Sequence, residues 1–239
     1  MKLYKYTSAD FGLDVLKTGR IKVARLLDVN DPNEWIPVCP NPNNNGIDYH
    51  TDPKFRTAFR HFWSCQYGFI SFSLSWDNPV LWGHYADRFR GVALVFEVCN
   101  PSKVKEVKYC DARYVLDEKE MYSGDREKVD RLISRKAKEW EYEQEYRALV
   151  DLRACTTQHH GNDTLFFANI KDNGCLRLCG IYMGPECTAT VYDVHSALDK
   201  KPPIGFESVQ LAPDSRTYGI IKCDSKVWDG TDWASINEI

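Results

Sequence analysis

An α+β fold is the expectation, and three observations lead to it. Strand-like runs recur from Lys2 to Leu211, segments of helical spacing fall among them, and no repeat or Gly/Ser/Pro-rich linker divides the chain. One domain over residues 1–239 follows, built on an antiparallel or mixed central sheet, with 186–239 the least defined part.

Lys2 to Tyr6 reads as a short strand. Ser8 or Asp10 is placed to cap a helix over Phe11 to Leu16, and Gly19 ends it. Ile21 to Leu27 is extended, and Asn30-Asp31-Pro32-Asn33-Glu34 is a turn by composition. Residues 37–53, rich in Pro and Asn, predict a long irregular loop, a lid over a site. Residues 54–63 are helical, Phe69 to Ser73 alternates as a strand, and Pro79 to Asp87 is a short aromatic helix. Gly91 to Val98 is the clearest strand in the chain. Val104 to Tyr109 and Ala112 to Leu116 add one or two more.

Asp117 to Trp140 is highly charged, with apolar Val129, Leu132, Ile133 and Ala137 spaced as the buried stripe of an amphipathic helix. Strands are expected again at 145–151, 164–170, 179–183 and 207–211. From Pro213 onward the reading is loop, with one short strand near Tyr218 to Lys222.

Composition narrows the function classes. The chain has 239 residues, 43% hydrophobic, enough for a sizeable core. A net charge of -3 without a Lys/Arg-rich block removes the large basic footprint that duplex nucleic acid demands. No run approaches the roughly 20 apolar residues that span a membrane, and Met1 to Phe11 lacks the apolar core of a signal peptide. Nine cysteines form no disulfide framework, so a reduced, cytoplasmic protein is expected. Cys175, Cys179 and Cys187 are too loosely spaced for a zinc site, and no metal is expected.

Four segments carry residue types suited to chemistry. In Leu3-Tyr4-Lys5-Tyr6 the tyrosines share one strand face and Lys5 takes the other. In Phe69-Ile70-Ser71-Phe72-Ser73 two hydroxyls share a face, suited to a ribose or a carboxylate, or simply to a wet edge. In Trp82-Gly83-His84-Tyr85 the two larger rings are i and i+3 on a helix, a stacking pair or core packing. In Tyr142-Glu143-Gln144-Glu145-Tyr146-Arg147 an extended chain would set Glu143 and Glu145 on one face, ~6–7 Å apart. That pair is either a site or a solvated strand face, with Arg147 a plain salt-bridge partner.

Together, the strand Leu3 to Ser8, the Phe-x-Ser-x-Ser run and the Glu-x-Glu motif resemble, in that order, the mono-ADP-ribosyltransferases of the pertussis-toxin type. The chain is also similar to a bacterial family of unknown function marked by LYKY, NDP-x-E, W-x-HYA and W-x-YE-x-E-x-R segments, here Leu3–Tyr6, Asn30–Glu34, Trp82–Ala86 and Trp140–Arg147. The first resemblance implies a split central sheet flanked by helices and an NAD-consuming transfer. Lys5 takes the place of the arginine that holds NAD, with Tyr4 beside it. Ser71, with Ser73, positions the catalytic glutamate. Glu145 is that glutamate and Glu143 the acceptor-side carboxylate. Tyr85 and Trp82 are assigned to stacking nicotinamide. Two departures stand out: lysine loses arginine's planar fork, and Phe72 replaces a threonine.

Breaking the nicotinamide–ribose bond builds positive charge on the sugar, which a fixed carboxylate stabilises more than it stabilises the ground state. The resemblance further implies an intracellular toxin or phage-defence effector acting on a protein or nucleic-acid acceptor and restrained by an inhibitory partner. The alternatives are a catalytically inactive nucleotide- or protein-binding module of the same fold and a ribonuclease using His84.

Overall fold

The computed structural model describes residues 1–38, 52–116, 126–161, 163–170, 174–198 and 202–236. Its strands are β1 (Lys2–Thr7), β2 (Arg20–Arg25), β3 (Tyr67–Ser73), β4 (Val92–Val98), β5 (Val104–Glu106), β6 (Lys108–Cys110), β7 (Arg135–Ala137), β8 (Glu145–Asp151), β9 (Thr156–His160), β10 (Asp163–Asn169), β11 (Leu176–Met183), β12 (Glu207–Pro213), β13 (Ile220–Trp228) and β14 (Trp233–Ser235). Its helices are α1 (Ala9–Thr18), α2 (Pro53–Ser64), α3 (Pro79–Tyr85), α4 (Arg126–Ile133) and α5 (Val191–Ala197). The α+β class holds, and the sheet is mixed: β11 and β12 run parallel, while most pairs are antiparallel. Among the described residues no helix is long and apolar enough to cross a membrane.

The chain divides into two compact units. Unit 1 comprises residues 1–21, 72–101 and 169–239, and unit 2 comprises 22–71 and 102–168. The chain passes from one to the other within β3.

Unit 1 is organised by β4. Val92 to Phe96 have no exposed surface, the signature of a strand covered on both faces. β1 and β11 flank it antiparallel, in registers Leu3↔Phe96 and Ile181↔Leu94. α1 starts where Ser8 accepts the Phe11 N–H. It ends where Gly19 turns left-handed at φ 68° and donates to the Val15 carbonyl.

Between α3 and β4 the backbone does something costly. Asp87, Arg88 and Phe89 are successively left-handed, at φ 44°, 55° and 69°. Each such residue is strained by about 1–2 kcal/mol. The turn is held by Phe89 N–H donating to Trp82 O (3.1 Å), Gly91 N–H to Ala86 O (2.7 Å) and Glu186 N–H to Phe89 O (3.1 Å).

In unit 2, β8 pairs with both β3 and β5, and β2 lies antiparallel to β3 in register Ala24↔Phe69. The core gathers Leu26, Trp35, Phe59, Trp63, Phe69 and the apolar face of α4 (Val129, Leu132, Ile133). α2 begins with an Asp52 cap and Pro53 in its first turn.

Three expectations need correction, and a fourth falls mostly outside the described residues. The amphipathic helix of 117–140 is confined, within the described residues, to α4; residues 117–125 lie outside them. Ser134 bonds back to Asp130 through both its N–H and its hydroxyl, and the chain then extends as β7, which takes Ala137 with it. Ala112 to Leu116 forms no strand, only a Val115–Val38 bridge. The expected lid falls mostly on 39–51, outside the described residues. Finally, the stretch after Pro213 is not mainly loop: β13 runs nine residues and pairs with β12 and β14. Its polar residues alternate irregularly, so period-two patterning did not mark it.

Two glycines can be tested for opposite reasons. A Cβ at Gly91 would lie 2.2 Å from the Thr7 carbonyl oxygen and 2.8 Å from Ala86 backbone, neither able to yield. Gly91→Ala should cost about 3 kcal/mol or more. Gly19→Ala meets nothing closer than 4.0 Å, so only its left-handed φ counts, and it should cost about 1 kcal/mol. Urea unfolding midpoints measure both.

Candidate functional site

Glu143 and Glu145 come together, but not by strand alternation. Glu143 ends a tight 3-10 turn over Lys138–Glu143, and Glu145 is the first residue of β8. Gln144 between them is left-handed (φ 45°, ψ 51°), a strained conformation for a residue with a Cβ. The kink swings both carboxylates inward, leaving them 4% and 5% exposed. A solvated strand face is thereby excluded.

Both meet Lys136 of β7. Its Nζ lies 2.6 Å from Glu143 Oε2, 3.1 Å from Glu34 Oε1 and 3.4 Å from Glu145 Oε2. Arg147, two residues along β8, grips Glu145 with a two-pronged fork: Nε to Oε1 and Nη2 to Oε2, each 2.7 Å. Nη2 also donates to Glu34 Oε2 (3.0 Å), and Nη1 donates to the Ile133 carbonyl (2.8 Å). The guanidinium sits over the Phe69 ring at 4.8 Å, and Lys136 over Trp140 at 4.7 Å. Arg147 is therefore no plain surface salt bridge, being 1% exposed.

Three carboxylates thus face two cations. Burial alone would raise the Glu145 pKa. The charge and hydrogen bonds of Arg147, then Lys136 and a hydrogen bond with Ser71, overcome this and pull it from 4.5 down to about 2. For Lys136, burial works against the charged form, but Glu145, Glu34 and Glu143 more than offset it and raise its pKa. Tyr109, whose hydroxyl accepts the Glu145 N–H at 2.7 Å, is pushed up to about 12 by burial and the nearby carboxylates. Glu145 is accordingly an ionised, rigidly held carboxylate.

Unit 2 therefore joins Glu143, Glu145 and Ser71, as the sequence suggested, and adds Glu34, Lys136 and Tyr109. Glu34 was visible as the last residue of the NDP-x-E segment. Lys136 was hidden inside the expected amphipathic helix.

The remaining assigned residues belong to unit 1. Tyr4 and Ser73 pair across β1 and β3; Tyr4 packs 5.6 Å from Tyr182, and Ser73 Oγ accepts the Ser75 N–H. Lys5 is partly buried on β1, opposite Leu94. Trp82 has no exposed surface, donates Nε1 to the Trp76 carbonyl (2.7 Å) and meets Tyr6 edge-on at 5.0 Å. It is a core residue and presents no face to a ligand, which corrects its assignment to nicotinamide stacking. Tyr85 stays partly exposed, with His84 edge-on to it at 5.9 Å. Among the described residues no three His, Cys, Asp or Glu side chains are grouped to hold a metal ion.

Removing one member of such a network strands the others. Glu145→Gln should lower unfolding free energy by about 3–5 kcal/mol in urea titrations at pH 7. The acid profile carries a second signature. The folded pKa of Glu145 is depressed, so its contribution is full above 4.5 and lost as pH falls toward 2. Wild-type stability should decline through that window, and the decline should be shallower in Glu145→Gln.

Compared with known proteins, the chain matches no family model, no curated protein and no solved structure.

Proposed function

We propose that the protein is an NAD-dependent ADP-ribosyltransferase whose catalytic carboxylate is Glu145. One observation carries this reading: a buried carboxylate held ionised beside Ser71, in a network where three carboxylates share two cations. In NAD the positive charge lies on the nicotinamide ring, and breaking the bond moves it onto the ribose. A carboxylate directed at the ribose therefore stabilises the transition state more than the ground state. The Lys136–Glu145 contact, at 3.4 Å, is the longest in the network. Substrate engagement would replace that contact first, leaving Arg147 to keep the carboxylate aimed. Glu143, tied to the network by Lys136, is the proposed acceptor-side base. NAD is the substrate, and the acceptor is a protein or nucleic acid. An effector role against phage or as a toxin, restrained by an inhibitory partner, belongs to the same proposal.

One observation favours a second reading, a catalytically inactive binding module. Both oxygens of Glu145 already have cationic partners, and the residue is 5% exposed. In that case the network is purely structural.

Nicotinamide release from NAD, measured with and without cell lysate, separates the two. The transferase reading expects release by wild type and a loss of about 10²–10³-fold in Glu145→Asp. That variant keeps the charge and hence much of the network while retracting the carboxylate. Its melting temperature is recorded alongside to show that it is folded. If wild type and folded Glu145→Asp release nicotinamide equally, the transferase reading fails. RNA cleavage without NAD, abolished by His84→Ala, would replace both readings with a ribonuclease.

A further inference from the structure

Two cysteines face each other at the edge of the central strand pair of unit 1. β4 and β11 run antiparallel, and their register reaches Val98↔Leu176. One step further along both chains, Cys99 stands opposite Cys175. The Val98 N–H turns away to β1 and donates to the Met1 carbonyl (3.0 Å), whereas the Cys99 N–H donates to the Cys175 carbonyl (2.8 Å). Cys99 and Cys175 are therefore at a hydrogen-bonded step of the ladder, where opposed residues share a face with Cα atoms about 5.5 Å apart. That spacing lies within the roughly 4.4–6.8 Å that a disulfide bridges.

Both residues are thiols in this structure, and their surroundings differ. Cys99 is exposed, whereas Cys175 is 3% exposed. A solvent-borne oxidant reaches the first. The second is screened from oxidants and from the thiols of other proteins, but not from its cross-strand neighbour. No other two described cysteines oppose each other in a strand pair. Cys110 is opposite Ala137, Cys179 and Cys223 fall at register shifts, and Cys65, Cys155 and Cys187 lie outside the strands.

We propose that Cys99 and Cys175 form a reversible disulfide in response to peroxide. The Cys99 sulfur attacks hydrogen peroxide and the O–O bond breaks, leaving a sulfenic acid and releasing one water. The Cys175 sulfur then displaces the sulfenic oxygen, forming the S–S bond and releasing a second water. The two thiols lose two electrons and two protons, and the peroxide takes up both. A dithiol reductant reverses the reaction by exchange.

The position gives the bond its consequence. The chain leaves unit 1 after residue 101 and re-enters it at 169. The bridge closes a loop of about 75 residues that carries Lys136, Glu143, Glu145 and Arg147. It ties β4 to β11 and constrains the unfolded chain across that whole stretch, so oxidation stabilises the fold. The inference does not depend on the transferase reading.

The test is peroxide treatment of the whole reduced protein, followed by thiol blocking and tryptic digestion without reductant. Cleavage releases peptides 91–103 and 172–177, each with one cysteine. Mass spectrometry should find these two joined as the dominant cross-link, lost again with dithiothreitol. The oxidised protein should melt about 5–15 °C above the reduced one. Cys99→Ser, a change at an exposed position, should remove both the cross-link and the gain. The cross-link in the wild type is read without any variant. Thiols that stay unreacted, Cys99 ending only as sulfinic or sulfonic acid, a dominant link to a different cysteine, or a 99–175 link with no gain in melting temperature would each overturn the proposal.

Discussion

Arg147 sets the terms for unit 2. Taking a guanidinium out of water costs several kcal/mol, recovered only when its donors find acceptors in good geometry. Those acceptors come from scattered parts of the chain: the strand that carries it, the Asn30–Glu34 turn and the end of α4. Each must arrive in register for the charge to be tolerated. The Glu34 carboxylate then draws Lys136 and β7 into place, and Lys136 draws Glu143. Packing alone would accept many arrangements of these apolar residues, but the charges accept few.

Much of this architecture was legible in the sequence. β4 announced itself because a strand buried on both faces is an unbroken apolar run. α1 was marked by its caps. The pairing of Glu143 with Glu145 was also readable, although for the wrong geometric reason. Alternation in a strand would have put the two side by side, whereas a left-handed Gln144 does so here. Nothing in the identity of a glutamine signals that conformation, because the network enforces it from outside. Lys136 was missed for a related reason. Its neighbours have helical spacing, and the end of the helix at Ile133 depends on Ser134 and on pairing with β6. β9 was missed because its residues are all exposed and polar, and β13 was read only as a short strand near Tyr218 to Lys222 because its sequence carries no regular period-two contrast.

Unit 2 also holds a pocket of about 200 Å³ whose wall includes Glu34 and Lys136 of the network, so an occupant there would alter the field felt by the carboxylates. Lys136 already divides its charge among three acids, and a shift of about half an ångström in its ammonium changes that division. At short range in a poorly polarisable interior such movements matter more than they would at the surface. An occupant of that pocket would reach the ionisation of Glu145 through a single amine rather than through a large rearrangement.

The left-handed turn of Asp87 to Phe89 bears on how the protein is made. α3 has seven residues, too few to persist alone, and the turn after it opposes its own local preferences. What stabilises it is remote: the Glu186 N–H on the Phe89 carbonyl, and β11 alongside β4. During vectorial synthesis the first hundred residues leave the ribosome carrying a central strand with one of its two flanking partners still untranslated. Unit 1 cannot close until the segment around Met183 to Glu186 has emerged. The apolar face of β4 must be shielded through that interval, and the two blocks of unit 2 are synthesised before and during the wait.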